Sequence, residues 1–287
     1  MTRYIDLHTH TTTSDGTDSP SELVAKAIDL RLAALAVTDH DTTAGLAEAE
    51  NSAKGSDLEL IRGCEISVQA AFGELHLLGL WLPQDTTPLE GRLHDILRKR
   101  SQRNERIVEK LNSLGLDISL DDVQREAAGK VVGRPHIARA LIRAGHVPDE
   151  KAAFNRYLAA GAAGYVPREV LEPADGVLLL TGMGATVSLA HPMLARCPRP
   201  ELERMILLLK NEGLDALEVW HSEHSQADEA YLKALAKRLD LGLSGGSDFH
   251  GDNKPHVRLG SGHGGLRIGE AVLEALKQRR VRQGLPV

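Results

Sequence analysis

Cysteine is nearly missing: Cys64 and Cys197 are the only two in 287 residues. That argues against a disulfide-stapled secreted scaffold and fits a reducing compartment. Cys64, in an apolar strand context, reads as a small core residue. Also missing is any apolar run near the roughly 18 residues of a membrane span. No charged-apolar-small leader opens the chain, so the expected location is cytoplasmic, away from membrane. No internal repeat, low-complexity tract or Pro/Ser-rich linker is present. Positive charge is in deficit, with a net charge of −6, which argues against a general nucleic-acid coat. The deficit is uneven. Residues 98–172 carry 14 Lys/Arg against 10 Asp/Glu, a balance of +4, whereas the remaining residues carry 20 against 30, a balance of −10. A basic segment beside an acidic body suits an anionic substrate, although charge alone suits a solvated helical surface equally well.

What the chain does have is metal-binding side chains at the ends of short apolar runs. Asp6-Leu7-His8-Thr9-His10 stands near the start and Ser247-Asp248-Phe249-His250 near the end. In a strand, residues i and i+2 share a face, so His8 with His10 and Asp248 with His250 each point one way. Candidate strands fall at 4–7, 33–38, 59–63, 75–80, 186–190, 216–220 and 241–244. Helical patterns alternate with them. Ser19-Pro20-Ser21-Glu22 is a capping box with Pro at the first helical position, and Ser225 with Asp228 resembles another, before a helix over 231–239. Repeated β-then-α units predict a parallel sheet, and seven of them predict an α/β barrel, for which this length is ordinary. The alternation breaks over 92–170, which reads as helices at 93–114, 119–128, 134–144 and 149–160. Gly115, Gly129, Gly145 and Gly161 follow them at C′ positions. The expected organisation is a barrel from 1–91 and 171–287 with an inserted all-helical domain at 92–170.

The polar residues cluster by position. His8, His10, His40, His191, Asp248 and His250 end or follow strands, Asp15 and Glu65 sit just beyond them, and His76 alone lies inside its strand. Barrel enzymes take reacting groups from the C-terminal ends of strands. Six His and three carboxylates exceed what one ion needs, and bridging by Glu65 or Asp248 would let two or three ions sit together. Imidazole with carboxylate suits Mn²⁺, Fe²⁺ or Zn²⁺ better than Ca²⁺.

Taken in order, His8-x-His10, Asp15, Thr38-Asp39-His40, Gly63-x-Glu65, His76, Ala190-His191-Pro192 and Ser247-Asp248-x-His250 resemble the motifs of the PHP (polymerase and histidinol phosphatase) superfamily. The resemblance implies a metal-dependent phosphoesterase on a distorted seven-stranded (β/α) barrel with a trinuclear centre. His8, His10, Glu65 and Asp248 would hold one ion, and Glu65 would bridge to a second with His76 and His191. Asp15, His40 and His250 would hold the third. Manganese is the expected metal, with zinc or iron as alternatives.

Two further groups bear on substrate. Gly133-Arg134-Pro135-His136 opens a helix, where N–H groups and an arginine both favour phosphate. Trp220-His221-Ser222-Glu223-His224 follows a strand. A helical insertion with Gly-Arg-Pro-His resembles the superfamily branch acting on nucleotides, which includes a nucleoside 3′,5′-bisphosphate phosphatase and a 5′-to-3′ exoribonuclease. Arg134 is then expected to bind and neutralise phosphate, His221 or His224 to bind phosphate or protonate the leaving oxygen, and Ser222 to contact substrate. The expected reaction is hydrolysis of a 3′,5′-bisphosphate to the 5′-monophosphate. The alternatives are trimming of short 5′-phosphorylated RNA, a histidinol-phosphate type of reaction, C–N hydrolysis, or a non-catalytic module that binds metal and RNA. Asp39, beside the ligand His40, is the expected supporting partner of the metal ligands, the alternative being that it caps a turn.

Overall fold

The computed structural model describes residues 3–127, 133–159, 161–166 and 171–287, with the backbone alone at 97 and 99–101. The chain divides into two compact units, Met1–Gly91 with Leu171–Val287, and Arg92–Val170. In the first unit the strands are β1 (Ile5–Asp6), β2 (Ala34–Val37), β3 (Glu59–Ala70), β4 (Gly73–Leu80), β5 (Thr186–Leu189), β6 (Ala216–Trp220) and β7 (Gly242–Gly245). They form one seven-stranded sheet in chain order. Residues beyond β1 and β7 bring its edges together: the Leu7 amide donates to Gly245 O at 3.2 Å, Asp248 N to His8 O at 2.9 Å, and His10 N to Phe249 O at 2.9 Å. The result is a nearly closed barrel. Every residue of β2 and β5 is buried, as strands covered on both faces require.

Around the sheet run α1 (Pro20–Asp29) and α2 (Leu46–Ala53). Next comes α3 (Thr87–Ser113), within which the division between the two units falls. The capping box expected at α1 is present: Ser19 accepts from Glu22 N, and Glu22 accepts from Ser19 N. Pro20 occupies the first turn, where its missing N–H costs nothing.

One strand departs from the parallel expectation. β4 runs antiparallel to both β3 and β5. The cause is local: β3 continues to Ala70, and only Ala71 and Phe72 separate it from β4. A two-residue link can join antiparallel neighbours, whereas a parallel return needs a crossover of about a dozen residues. This reversal accounts for His76. On a reversed strand the active end comes early in the sequence, so a residue near the start of β4 meets the C-terminal ends of its neighbours.

In the second unit the continuation of α3 is followed by α4 (Leu120–Ala127), α5 (Arg134–Arg143) and α6 (Glu150–Ala153), which opens into one wide π turn over Phe154–Leu158. Ile107, Leu111, Val123, Ile137, Leu141 and Leu158 form its core, all essentially inaccessible. Each fully buried aliphatic side chain of this kind contributes roughly 1.5–3 kcal/mol. Gly115, Gly145 and Gly161 all take positive φ after helices or turns, while Gly129 and the expected helix ends at 128 and 160 lie outside the described residues. The first unit is completed by α7 (Pro173–Gly182), α8 (Arg199–Glu212), α9 (Gln226–Arg238) and α10 (Glu270–Arg282). The second capping box is also present, with Ser225 accepting from Asp228 N. Among the described residues no helix is long and apolar enough to cross a membrane.

Candidate metal centre

All nine predicted ligands lie in the barrel unit, and the strand ends bring them together. His8 and His10 follow β1 on one face, and His40 bridges to Glu65 across neighbouring strands. Asp248 and His250 follow β7. Gly246 lets that strand end close on the first: a Cβ there would fall 2.3 Å from His8 Cβ and 2.4 Å from His8 N. Two of the nine sit in left-handed backbone, His191 at φ 28° and Asp248 at φ 57°. For residues with a Cβ this costs on the order of 1–3 kcal/mol each and persists where surroundings over-determine it.

The side chains fall into three overlapping groups around Glu65. His8 Nε2 and His10 Nε2 each stand 3.2 Å from Glu65 Oε2, and they stand 3.6 and 3.3 Å from Asp248 Oδ1. On the other oxygen, His76 Nδ1 and His191 Nε2 each stand 3.0 Å from Glu65 Oε1. The third group centres on Asp15, whose oxygens are 3.2 Å from His250 Nε2 and 3.9 Å from His40 Nε2. His40 Nδ1 also approaches Glu65 Oε2 at 3.0 Å.

This arrangement fits divalent ions. His8 Nε2, both ring nitrogens of His10 and Glu65 Oε2 are buried without a hydrogen-bond partner. A buried polar atom left unsatisfied costs about 1–3 kcal/mol, so the convergence of His8 Nε2, His10 Nε2 and Glu65 Oε2 is unfavourable unless a cation takes one lone pair from each. Electrostatics points the same way. Burial pushes the Glu65 carboxyl up, but His40, His8 and His76 pull it well below the usual carboxylate range. Asp248, also pushed up by burial, is drawn well down by His8, His10 and His221. Burial lowers His10 and His76, yet Asp248 and Glu65 lift His10 to about 9. Glu65 and Glu74 lift His76 to about 10. Burial prevails at His40, which falls to about 3. The cavity holds anions together with partly charged imidazoles, so an ion enters by displacing protons.

The PHP domain model matches residues 6–233. The chain belongs to the PHP domain family. Asp248 and His250 lie beyond the matched range and join the centre through the barrel closure. The chain is 37% identical over 258 residues to the 5'-3' exoribonuclease Rnm of Escherichia coli K12, covering 89% of this chain and 87% of that protein. It is 34% identical over 247 residues to a 3',5'-nucleoside bisphosphate phosphatase of Chromobacterium violaceum, covering 86% and 87%. A solved structure from Bifidobacterium adolescentis, described as a metal-dependent phosphoesterase, matches with a TM-score of 0.67 at 33% identity over 96% of each chain. This PHP protein is a metal-dependent phosphoesterase.

Supporting groups hold the PHP centre in place, and several of them escaped the sequence reading. Glu218, fully buried on β6, accepts from His8 Nδ1 at 2.9 Å and from the His191 amide at 2.6 Å. Burial raises its pKa, but His8 outweighs that and holds it down. The signal was there: a lone acid inside the apolar stretch Ala216–Trp220. Asp6 accepts from Ser247 N and Oγ at 2.8 and 2.6 Å and from Gly260 N at 2.8 Å, tying the last strand end to the first. Lys254 Nζ lies 2.5 Å from Asp248 Oδ2. Of the two readings of Asp39, its contacts are those of the turn-capping one. Its carboxylate takes Thr11 N at 2.8 Å, Thr11 Oγ1 at 2.7 Å and Ser14 Oγ at 2.6 Å, so it braces the loop that carries Asp15.

Of the expected substrate residues, His221 is nearest the ligands, with Nε2 3.3 Å from Asp248 Oδ2. Its Nδ1 accepts from the Glu223 amide at 3.1 Å, which places the ring proton on Nε2. His224 has the opposite tautomer: Nδ1 donates to Val219 O at 2.9 Å, and Nε2 is buried without a partner. The Ser222 hydroxyl donates to the Ser247 carbonyl. Arg134, in the helical unit, opens α5; its Nη1 donates to Leu158 O at 3.1 Å and its guanidinium lies 5.9 Å from the Phe154 ring. Cys64 is buried in β3, and burial pushes its thiol up, which makes it inert.

Proposed function

We propose that the protein hydrolyses the 3′-phosphate of a nucleoside 3′,5′-bisphosphate, giving the 5′-monophosphate and inorganic phosphate. The observation that carries this reading is the shared Glu65 carboxylate, with one oxygen facing His8 and His10 at 3.2 Å and the other facing His76 and His191 at 3.0 Å. Such a carboxylate suits ions held side by side, the arrangement that clamps a phosphoryl group. His8, His10, Glu65 and Asp248 would hold one ion, Glu65, His76 and His191 a second, and Asp15, His40 and His250 a third. Manganese is the expected metal. When bound, the ions neutralise phosphate oxygens and lower the pKa of water from about 15.7 toward 7.

The remaining roles fall to the protein's own groups. His221 carries its proton on Nε2 at the edge of the cluster and suits donation to a phosphate or leaving oxygen. His224, with its proton committed to Val219 O, suits accepting a hydrogen bond from substrate. Arg134 would bind the second phosphate, since a guanidinium offers a fork of donors matched to phosphate geometry.

A second reading is favoured by the 37% identity to a 5'-3' exoribonuclease. The two reactions share their chemistry. A 3′,5′-bisphosphate and the first linkage of a 5′-phosphorylated RNA each have a phosphorus on the 3′-oxygen and a free 5′-phosphate. One site that anchors the 5′-phosphate and cleaves at the 3′-oxygen serves both. The deciding experiment measures metal content together with product release from a 3′,5′-bisphosphate and a short 5′-phosphorylated RNA. Phosphate from the first supports the phosphatase reading, and faster 5′-mononucleotide release from the second supports the exonuclease. Turnover of neither, with hydrolysis of histidinol phosphate or an amide instead, would overturn both.

A further inference from the structure

Away from the nine-residue centre, Glu223, His256 and His263 each offer a ligand atom, and the three atoms lie within 4.8 Å of one another. Glu223 follows β6, while His256 and His263 belong to the long loop between β7 and α10. His263 Nε2 stands 3.1 Å from Glu223 Oε1. The His256 ring stacks on that of His263, with centroids 5.1 Å apart and planes within 7°. We propose that these residues form a peripheral zinc-type site, separate from the catalytic ions.

The spacing suits one small ion. Nitrogen and oxygen ligands at roughly 2.0–2.1 Å from tetrahedral zinc stand about 3.3 Å apart. The Glu223–His263 pair is already near that separation, and all three side chains are exposed; closing the site requires the His256 ring to turn out of its stack on His263. The backbone that carries them is braced. Arg258 and Gly262 exchange amide hydrogen bonds of 2.7 and 2.8 Å, forming a tight loop between the two histidines. The loop after β6 is tied down by the Ser222 hydroxyl on Ser247 O. The two loops also touch: a Cβ at Gly262 would lie 2.7 Å from Ser222 Oγ, beside His263 on one side and Glu223 on the other. The ligands are thus presented by a prepared frame. Two imidazoles and one carboxylate favour Zn²⁺ over Mn²⁺ by the Irving–Williams order, and three protein ligands leave the fourth position to water.

The test uses the full chain with its catalytic centre saturated with Mn²⁺, dialysed against graded Zn²⁺. Bound zinc and manganese are then counted by elemental analysis. The wild type should hold one zinc per chain that His256→Ala/His263→Ala lacks, with equal manganese and unchanged phosphoester hydrolysis in both. Glu223→Gln and His256→Gln/His263→Gln should lose the same zinc while keeping the circular dichroism of the wild type. Equal zinc in wild type and double variant, or zinc gained only as manganese leaves, overturns the site.

Discussion

Replacing Glu218 by Ala strips two buried donors of their acceptor at once: His8 Nδ1–H, at 2.9 Å, and the His191 amide, at 2.6 Å. A hydrogen bond to a charged partner contributes about 1.5–3 kcal/mol, so the fold should lose roughly 3–6 kcal/mol if neither donor finds water. The metal effect is separable. His8 would no longer be held in its tautomer, and His191, in left-handed backbone at φ 28°, would lose the partner of its amide. Groups of this kind typically set metal affinity by about 10–100-fold. Glu218→Gln keeps one acceptor and should fall between Ala and wild type. Metal retained against a graded chelator, measured beside thermal unfolding, reads both effects. Unchanged metal affinity in folded Glu218→Gln and Glu218→Ala would show that Glu218 merely fills the core, and would refute the positioning argument.

Arg134→Ala should raise KM for a bisphosphate strongly while leaving metal content unchanged; loss of metal instead would mark Arg134 as structural. Asp39→Ala removes the acceptor of Thr11 and Ser14, so it should cost about one ion per chain by loosening Asp15, an outcome read by metal stoichiometry. The pH dependence has a defined sign. In the metal-free protein His10 and His76 are lifted to about 9 and about 10, above the unfolded value near 6.5. The stability they contribute is therefore fully present below about pH 6.5 and lost as pH rises through 9 to 10. Metal uptake must strip those two protons and a third from His8, which burial lowers but Glu218, Glu65 and Asp248 hold well above its ordinary value. Calorimetry at neutral pH should therefore show a binding heat that changes with the buffer's ionisation enthalpy. Affinity summed over the ions should rise by about three log units per pH unit near neutrality. A buffer-independent heat would refute it.

Much of the centre was legible because metal ligands need strong local signals. The i, i+2 pairs at β1 and β7 and the acids just past apolar runs are set by strand geometry alone. Both capping boxes were legible for the same reason, since Ser19 and Ser225 each act within one turn. The antiparallel course of β4 was harder to see. Strand direction depends on which neighbour the strand pairs with, and the only local trace was His76 standing inside its run instead of at the end. Glu218 was hidden among apolar neighbours, because its reason for being buried, His8, lies 210 residues away in sequence. Asp39 was visible as an acid beside a ligand, but only the folded loop decides that it braces Asp15.

The joining of the first and last strand ends also sets a schedule. His8 and His10 leave the ribosome about 240 residues ahead of Asp248 and His250, an interval of roughly 10–50 s at ordinary elongation rates. Until then Glu65 and its histidines are only part of a chelate, without the carboxylate that completes the first group. On the proposed ligand set, firm metal loading waits until nearly the whole polypeptide has been made, and a chain truncated before Asp248 should bind the ions less tightly than the full chain.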